Sequence, residues 1–349
     1  MAPNVEPNTA AQQAPLAQMT PSRQMGGLQR FLLSNEFGLI VLILVFTIVF
    51  TSISPMFLSK FSLYAMGRTA AVNIMIGFSM MVVIVTGGLN LAVGAIGVCG
   101  AMFGGWLMQA AGFHWVPACI GGLGMGALLG AVNGVMIVRS GLHSFIITLA
   151  TMSVMFGAMI FLTQAESFRE ISPGFSALGR AKILNVLSPM LLTSAAIGVL
   201  LWLTFKFTTL GREILAAGAN PKAAELSGIK VGHMITYSHA LSGALAAVAG
   251  LMLVSRTGAA IPSMAGQLGQ DWLLPAFLGP VLGGTLLTGG RISVLGTFLG
   301  AFLVTMLTTG LLLMQIGAFW VQSYLGLLLL VAVLLDLARR SYLTRNKLV

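Results

Sequence analysis

Residues 69–138 read TAAVNIMIGFSMMVVIVTGGLNLAVGAIGVCGAMFGGWLMQAAGFHWVPACIGGLGMGALLGAVNGVMIV, a run of 70 residues without one Asp, Glu, Lys or Arg. An ionised side chain at the bilayer centre costs about 2.5–3.5 kcal/mol on insertion scales. A helix needs about 20 residues to cross, so the run has room for three membrane helices. Two breaks are visible inside it. Gly87-Gly88-Leu89-Asn90 interrupts it once, and Gly112-Phe113-His114-Trp115-Val116-Pro117, with the aromatic and Pro residues of an interface, interrupts it again.

The same reading extends outward along the chain. The charge-free gaps Phe37–Ser59, Ser140–Ala165, Ile183–Phe205, Val231–Ser255 and Trp272–Gly290 predict one helix each, and Ile292–Leu335 predicts two, divided near Gln315-Ile316-Gly317. The expectation is an all-α integral membrane protein with ten transmembrane helices. Composition agrees: 57% of the 349 residues are hydrophobic and 7% are charged, against about 25% charged in a soluble domain. The net charge of +10 comes from bases scattered between apolar blocks, which excludes the gathered patch a nucleic-acid partner requires. Cys99 and Cys119 are too few for a disulfide framework or a metal cluster and read as small packing residues. No metal and no cofactor is expected.

An even number of spans puts both termini on one side. With that side cytoplasmic, twelve bases fall inside and six outside, the six being Lys60, Arg68, Arg169, Arg180, Lys182 and Arg256. The positive-inside rule then favours cytoplasmic termini. Residues 1–30, rich in Pro, Gln, Ala and Asn, read as a disordered cytoplasmic tail, residues 31–338 as one membrane domain, and 339–349 as a basic cytoplasmic tail. The longest insertion outside the membrane is the cytoplasmic loop 206–232.

No motor is visible. The acids Glu6, Glu36, Glu166, Glu170, Glu213, Glu225, Asp271 and Asp336 all fall in loops or at span ends, whereas ion-driven transporters place a carboxylate or His inside the membrane. His114, His143 and His233 sit near span ends, and His239, a turn or two inside, reads as a packed ring. A phosphate-binding Gly-Lys-Ser or Gly-Lys-Thr is missing. The chain reads as no enzyme: either another chain supplies the energy or the protein is a passive pore.

The second half of the cytoplasmic loop carries helix marks. Asn220 is a favoured N-cap, Pro221 suits the first helical position, Ala223-Ala224-Glu225-Leu226 are good helix formers, and Gly228 suits a left-handed terminus. Leu226 and Ile229 give this stub an apolar edge, fit either for docking into a partner's groove or for a plain surface connection.

Three further stretches bear on the choice. They are Thr86-Gly87-Gly88-Leu89-Asn90-Leu91-Ala92-Val93-Gly94, Asn133-Gly134 with Ser144-Phe145-Ile146-Ile147-Thr148-Leu149-Ala150-Thr151-Met152, and Leu282-Gly283-Gly284-Thr285 with Gly289-Gly290-Arg291-Ile292-Ser293-Val294-Leu295-Gly296-Thr297. Together with Gly211-Arg212-Glu213-Ile214, Ala217 to Ala224 and Leu226 to Ile229, they resemble the permease subunits of ABC importers for ribose, xylose, galactose and related monosaccharides. The resemblance runs from about Ala65 to Asp336. Two positions depart from it: Asn90 and Ala92 stand where that family usually has Asp and Ser.

The resemblance implies a type II importer-like permease of a bacterial inner membrane. It also implies a separate ABC ATPase gripping the loop, an extracytoplasmic sugar-binding protein, and a second permease copy, identical or similar. The coupling residues it implies are Gly211, Arg212, Glu213, Asn220, Pro221, Ala224, Glu225, Leu226 and Gly228. An ion-coupled secondary sugar transporter and a passive solute channel are the alternatives.

Glycine makes up 43 residues, and its clusters read first as close helix packing. Gly87-Gly88 and Gly289-Gly290, each followed by Gly94 or Gly296 at the same spacing, are better candidates for broken helices that line a cavity. A weakly polar pathway is expected from Asn73, Thr86, Gly87, Gly88, Asn90, Asn133, Thr148, Thr285, Gly289 and Gly290, with Ser79, Thr151 and Thr288 as further polar positions. The alternative for these is interhelical hydrogen bonding. Trp106, Trp115, Trp272 and Phe319-Trp320 read first as interface anchors and second as sugar-stacking platforms. Asp271, with Gln267 and Gln270, either meets a binding protein or is solvated.

Overall fold

The computed structural model describes residues 35–317, 320–331 and 334. The two expected tails, 1–30 and 339–349, lie outside the described residues. The described residues are helical, with isolated bridges and no strand.

Among the described residues, seven helices are long and apolar enough to cross a membrane. They are α1 (Asn35–Ile53), α2 (Lys60–Ile84), α4 (Trp115–Ser140), α5 (Ser144–Thr163), α7 (Pro189–Phe207), α10 (Val231–Thr257) and α12 (Val294–Leu313). Between them lie α3 (Val93–Gln109), α6 (Pro173–Arg180), α8 (Thr209–Ala219), α9 (Pro221–Leu226) and α11 (Leu273–Leu282), with α13 (Trp320–Val331) at the end. The 70-residue charge-free run resolves into α2, α3 and α4, broken where its glycine and interface residues place the breaks.

Helix ends follow local chemistry. Ser59, Ser188 and Ser293 accept from backbone amides of the first turns of α2, α7 and α12, and Pro189 occupies the first position of α7. His114 and His143 do the same for α4 and α5 through Nδ1, at 3.4 and 3.3 Å. Gly141 and Gly258 end α4 and α10 at φ +66° and +77°, a conformation open to glycine without steric cost.

Two expectations are corrected. Trp272–Gly290 is not one continuous helix: α11 stops after ten residues. Leu268 (φ 56°) and Gly269 (φ 78°) break the helix before it, and Gly283 followed by Gly284 at φ +80° ends it. From Ala260, which pairs with Phe168, the chain runs non-helically to a 3₁₀ turn at Gln267–Trp272. There the Gly269 carbonyl fills the place of a β-carbon on Gly94 at the start of α3. Trp272 is correspondingly no lipid-facing anchor; it is buried, its ring resting on Gly97.

The core is built on α2 and α10, the two most enclosed of the seven long helices. Backbone reaches backbone where α10 crosses α4. Gly122, Gly126, Gly130 and Gly134 recur every fourth residue of α4, on one face of the helix. Three of them meet the backbone of α10: Gly126 sits on the Gly243 carbonyl, Gly130 on the His239 carbonyl and Gly134 on Thr236. Close packing through small residues is how membrane helices gain contact without a hydrophobic driving force between them. Cys99 and Cys119 are free thiols, and Cys99 is packed in the main core. By contrast α1 buries only Leu39 and Phe50. It is pinned at its start, where Glu36 accepts a hydrogen bond from Ser293 at 2.7 Å.

Candidate functional site

The loop 206–232, expected on the cytoplasmic side, folds as two short helices meeting at one residue. Thr208 caps α8, its hydroxyl oxygen accepting from Gly211 N at 3.1 Å. Asn220 is extended (φ −155°, ψ 97°), ending α8 and starting α9. Its Oδ1 accepts from Ala223 N at 3.1 Å, Pro221 takes the first position, and Gly228 turns away at φ +85°. The helix marks after Asn220 are therefore those of α9, and α8 is a second helix in the first half of the loop. Its sequence signal is the Thr208 cap, four residues before Arg212.

The apolar edge of α9 is narrower than Leu226 and Ile229 together. Ile229 packs against the core, while Leu226 is 91% exposed. Ala224, on the opposite side, is buried. Beside the stub, Glu213, Lys230, His233 and Tyr237 line an open groove of about 460 Å³. Arg212 donates to the Phe207 carbonyl at 3.3 Å, and Glu225 is exposed.

The end of α8 is wedged into the membrane part of the chain. Gly290 N donates to the Val85 carbonyl at 2.8 Å, which joins the turn after α2 to the turn before α12. Gly218 lies against both: a β-carbon there would overlap the Val85 oxygen and come within 2.9 Å of Gly290 N. Gly289 (φ +88°) faces the Gly218 carbonyl and Gly87 N, and Gly290 (φ +77°) faces Ala219. The two glycine pairs therefore meet each other at the residue pair that precedes Asn220. The sequence signal of Gly218 is a glycine inside a helix, where it costs about 0.8–1.0 kcal/mol relative to Ala.

The broken segment after Gly87 is held by hydroxyls. Leu89 N donates to Ser144 Oγ at 2.8 Å and Leu91 N to Thr148 Oγ1 at 3.1 Å. Thr148 in turn donates to the Ser144 carbonyl at 2.8 Å. Thr86 donates to the Val83 carbonyl at 2.8 Å. Asn90 is fully buried. Its Oδ1 accepts from Ala92 N at 3.1 Å and its Nδ2 donates to Ser242 Oγ at 3.0 Å. Ser79 closes the set, bonded to the Ser242 carbonyl at 2.8 Å and hydroxyl at 2.9 Å. An amide suits this place because it donates to one neighbour while accepting from another. Ser242→Ala is expected to lower the unfolding free energy by about 0.6–1.7 kcal/mol, the range of interhelical hydrogen bonds in membranes. A thermal midpoint equal to wild type in detergent would show that this network carries no stability.

The expected pathway residues do not form one set. Thr86, Gly87, Gly88, Asn90, Thr148, Gly289 and Gly290 gather around the two broken segments. Thr285 lies in the turn before α12 and accepts from Ser293 N at 3.4 Å. Asn73 ties α2 to α12 by donating to Thr305 Oγ1 at 2.9 Å. Asn133 is fully buried on α4, next to Gly134, its amide atoms unpartnered among the described residues. His239 packs its ring toward Gly88 and bonds the Ile235 carbonyl through Nδ1 at 2.9 Å. No group of His, Cys, Asp and Glu side chains that could hold a metal ion occurs among the described residues.

Residues 62–335 match the family model described as branched-chain amino acid transport system / permease component. The chain is 36% identical to the ribose import permease protein RbsC of Bacillus subtilis, an alignment that takes in 86% of this chain and 90% of that one. It is 32% identical to the fructose import permease protein FrcC of Rhizobium meliloti over 88% and 87% of the two chains. It is 30% identical to the D-allose transport system permease protein AlsC of Escherichia coli over 86% and 91%. No solved structure matches the chain.

Proposed function

The chain belongs to this family of transport-system permease components, and from that premise we propose that it is the membrane subunit of an ATP-driven importer that moves a monosaccharide. The relatives named for ribose, fructose and allose support the cargo class. ATP hydrolysis belongs to a separate ABC ATPase that grips α9, and an extracytoplasmic binding protein delivers the sugar. A second permease copy completes the pathway. The ten-helix reading of a type II importer takes the seven long helices together with the shorter α3, α11 and α13. Both termini then face the cytoplasm of a bacterial inner membrane.

The observation that carries this reading is the seat of α8 between the turns at Val85–Gly88 and Gly289–Gly290. Force applied to α9 passes through Asn220 into a joint shared by both broken segments. Moving that joint tilts α2 and α12 between outward-open and inward-open arrangements, and Asn90, Thr148 and the paired glycines border the passage.

The test is uptake in proteoliposomes. The lone chain accumulates no sugar; addition of the ATPase and the binding protein produces ATP-dependent accumulation that survives collapse of the proton and sodium gradients. Uphill accumulation by the chain alone would refute the reading. Leu226→Ala separates docking from folding because the side chain is exposed. Removing its apolar surface from the ATPase contact loses about 2 kcal/mol, or a roughly 30-fold weaker affinity for the ATPase. Unchanged affinity in a titration of ATPase against the permease would remove α9 from the contact.

A further inference from the structure

We propose that Asp271, Gln270, Gln322 and Thr308 form a sugar-binding site at mid-membrane depth, a station on the passage of the importer; this rests on the function proposed above. The sequence expectation for Asp271 is an acid at the end of a span. The course of the chain puts it elsewhere.

Alongside α3, Ala260 packs on Gly105, Gly269 on Gly94 and the Trp272 ring on Gly97. The non-helical stretch after Ala260 therefore runs down α3, from near its end almost to its start. Gln109 marks the charged end of that helix, its Oε1 accepting from the backbone amides of exposed Arg169 and Glu170 at 2.7 and 3.0 Å. Gly97 lies twelve residues before Gln109, about 18 Å along the helix at 1.5 Å per residue. In the other direction, the ten residues of α11 lead toward the turn that holds the exposed base Arg291, about 15 Å on the same rise. The two lengths together match a hydrocarbon core of about 30 Å. Asp271 stands near its middle.

A charged side chain among acyl chains is costly at this depth, and amides without partners add to the cost. Yet Gln270, Asp271 and Gln322 are all exposed in the single chain. Water rather than lipid must reach them. They line a cavity of about 560 Å³ between α11, α12 and α13, within the range of about 300–1,000 Å³ for small-molecule sites. Thr308 donates to the Val304 carbonyl at 2.9 Å, which leaves its oxygen able to accept. Leu274 and Pro275 supply apolar surface.

This chemistry suits a neutral polyol. A carboxylate accepts from two neighbouring hydroxyls, each amide both donates and accepts, and the apolar surface fits the C–H face of a sugar ring. An anionic cargo finds no base in the lining among the described residues. A divalent cation is short of ligands: calcium takes about six to eight oxygens, and one carboxylate stands here among neutral groups. The mounting is fixed. A β-carbon on Gly266 (φ +76°) would overlap the Asp271 carboxylate, and Asp271 N donates to the Ala265 carbonyl at 3.2 Å. Gly269 rests on Gly94, four residues after Asn90, so motion of that broken segment reaches the site directly.

The experiment uses proteoliposomes holding permease, ATPase and binding protein, supplied with labelled ribose, fructose and allose in turn. Asp271→Asn and Gln322→Leu are each expected to lower the sugar moved per ATP hydrolysed about tenfold, the effect of one lost hydrogen bond to cargo. Hydrolysis itself should be retained, since neither residue belongs to α8 or α9. Both side chains are exposed, so folding is protected. Wild-type sugar per ATP in both variants overturns the site alone. A matched fall in hydrolysis and uptake also overturns it, because the residues then serve the conformational cycle and not the cargo. Wild-type uptake that stops when the proton and sodium gradients collapse assigns the carboxylate to an ion and overturns the importer reading as well. Failure of the wild type to accumulate any of the three sugars overturns that reading, and this site with it.

Discussion

Gly218→Ala is expected to abolish sugar uptake by the reconstituted transporter while leaving the ATPase bound. The substitution adds one methyl group, but its place is taken by the Val85 carbonyl oxygen, and Gly290 N lies 2.9 Å away. That oxygen already accepts from Gly290, so all three segments are backbone and no flexible side chain is present to move aside. Overpacking of this kind costs about 1–3 kcal/mol, a penalty relieved by shifting the end of α8 out of its seat. The chain then folds with its joint displaced, and motion of α9 no longer reaches the turns at Gly87 and Gly289. Uptake of labelled sugar should fall at least about 100-fold, equivalent to about 2.7 kcal/mol in an activation barrier. Gly157→Ala, on α5 with open space around it, should transport normally. Wild-type uptake by Gly218→Ala would show that α8 is not the joint.

The largest effect on folding is expected at the crossing of α4 and α10. Gly126 and Gly243 each occupy the space where the other's carbonyl oxygen sits, so Gly243→Leu must separate the two helices along their contact. Both lose small-residue packing together, and lipid offers no compensating hydrophobic gain. The cost exceeds the usual ~1–3 kcal/mol of overpacking because backbone is struck on both sides. Gly243→Leu should yield no monodisperse protein after extraction in mild detergent. Gly124→Leu, two residues from Gly126 on α4 and facing open space, should purify like wild type. Comparable chromatographic profiles for the pair would refute the packing account.

What was legible in the sequence was mostly local. Charge-free gaps located the seven long helices, since the cost of an ionised group in hydrocarbon acts on each residue separately. Asn220, Pro221 and Gly228 specified α9, since capping and left-handed turns are decided within a few residues. The segment Trp272–Gly290 misled because hydropathy reports lipid-like composition without reporting continuity. Leu268 and Gly269 have positive φ, and Gly269 packs against Gly94, a residue far away in sequence. Trp272 misled for the same reason: near a span end, it is buried by Gly97 rather than by lipid. The shared spacing of Gly87-Gly88 and Gly289-Gly290 was visible as a faint repeat, but their meeting at Gly218 is a tertiary fact. Arg68, Arg180, Lys182 and Arg256 were likewise counted one by one, with nothing in their spacing to predict that they meet near Tyr64.

The short helices at the centre determine how the protein feels its bilayer. At 1.5 Å per residue, the 17 residues of α3 span about 26 Å and the ten of α11 about 15 Å, less than a hydrocarbon core of about 30 Å. Neither meets acyl chains along its length: α3 is buried from Val93 through Met102, and α11 packs on α12 and α2. Thicker or thinner membranes therefore press on the peripheral α1, α4, α5 and α7, which show most of their surface outward. The broken segments carrying the glycine turns are sheltered from acyl-chain length, so hydrophobic mismatch reaches them only as tilt of the outer ring.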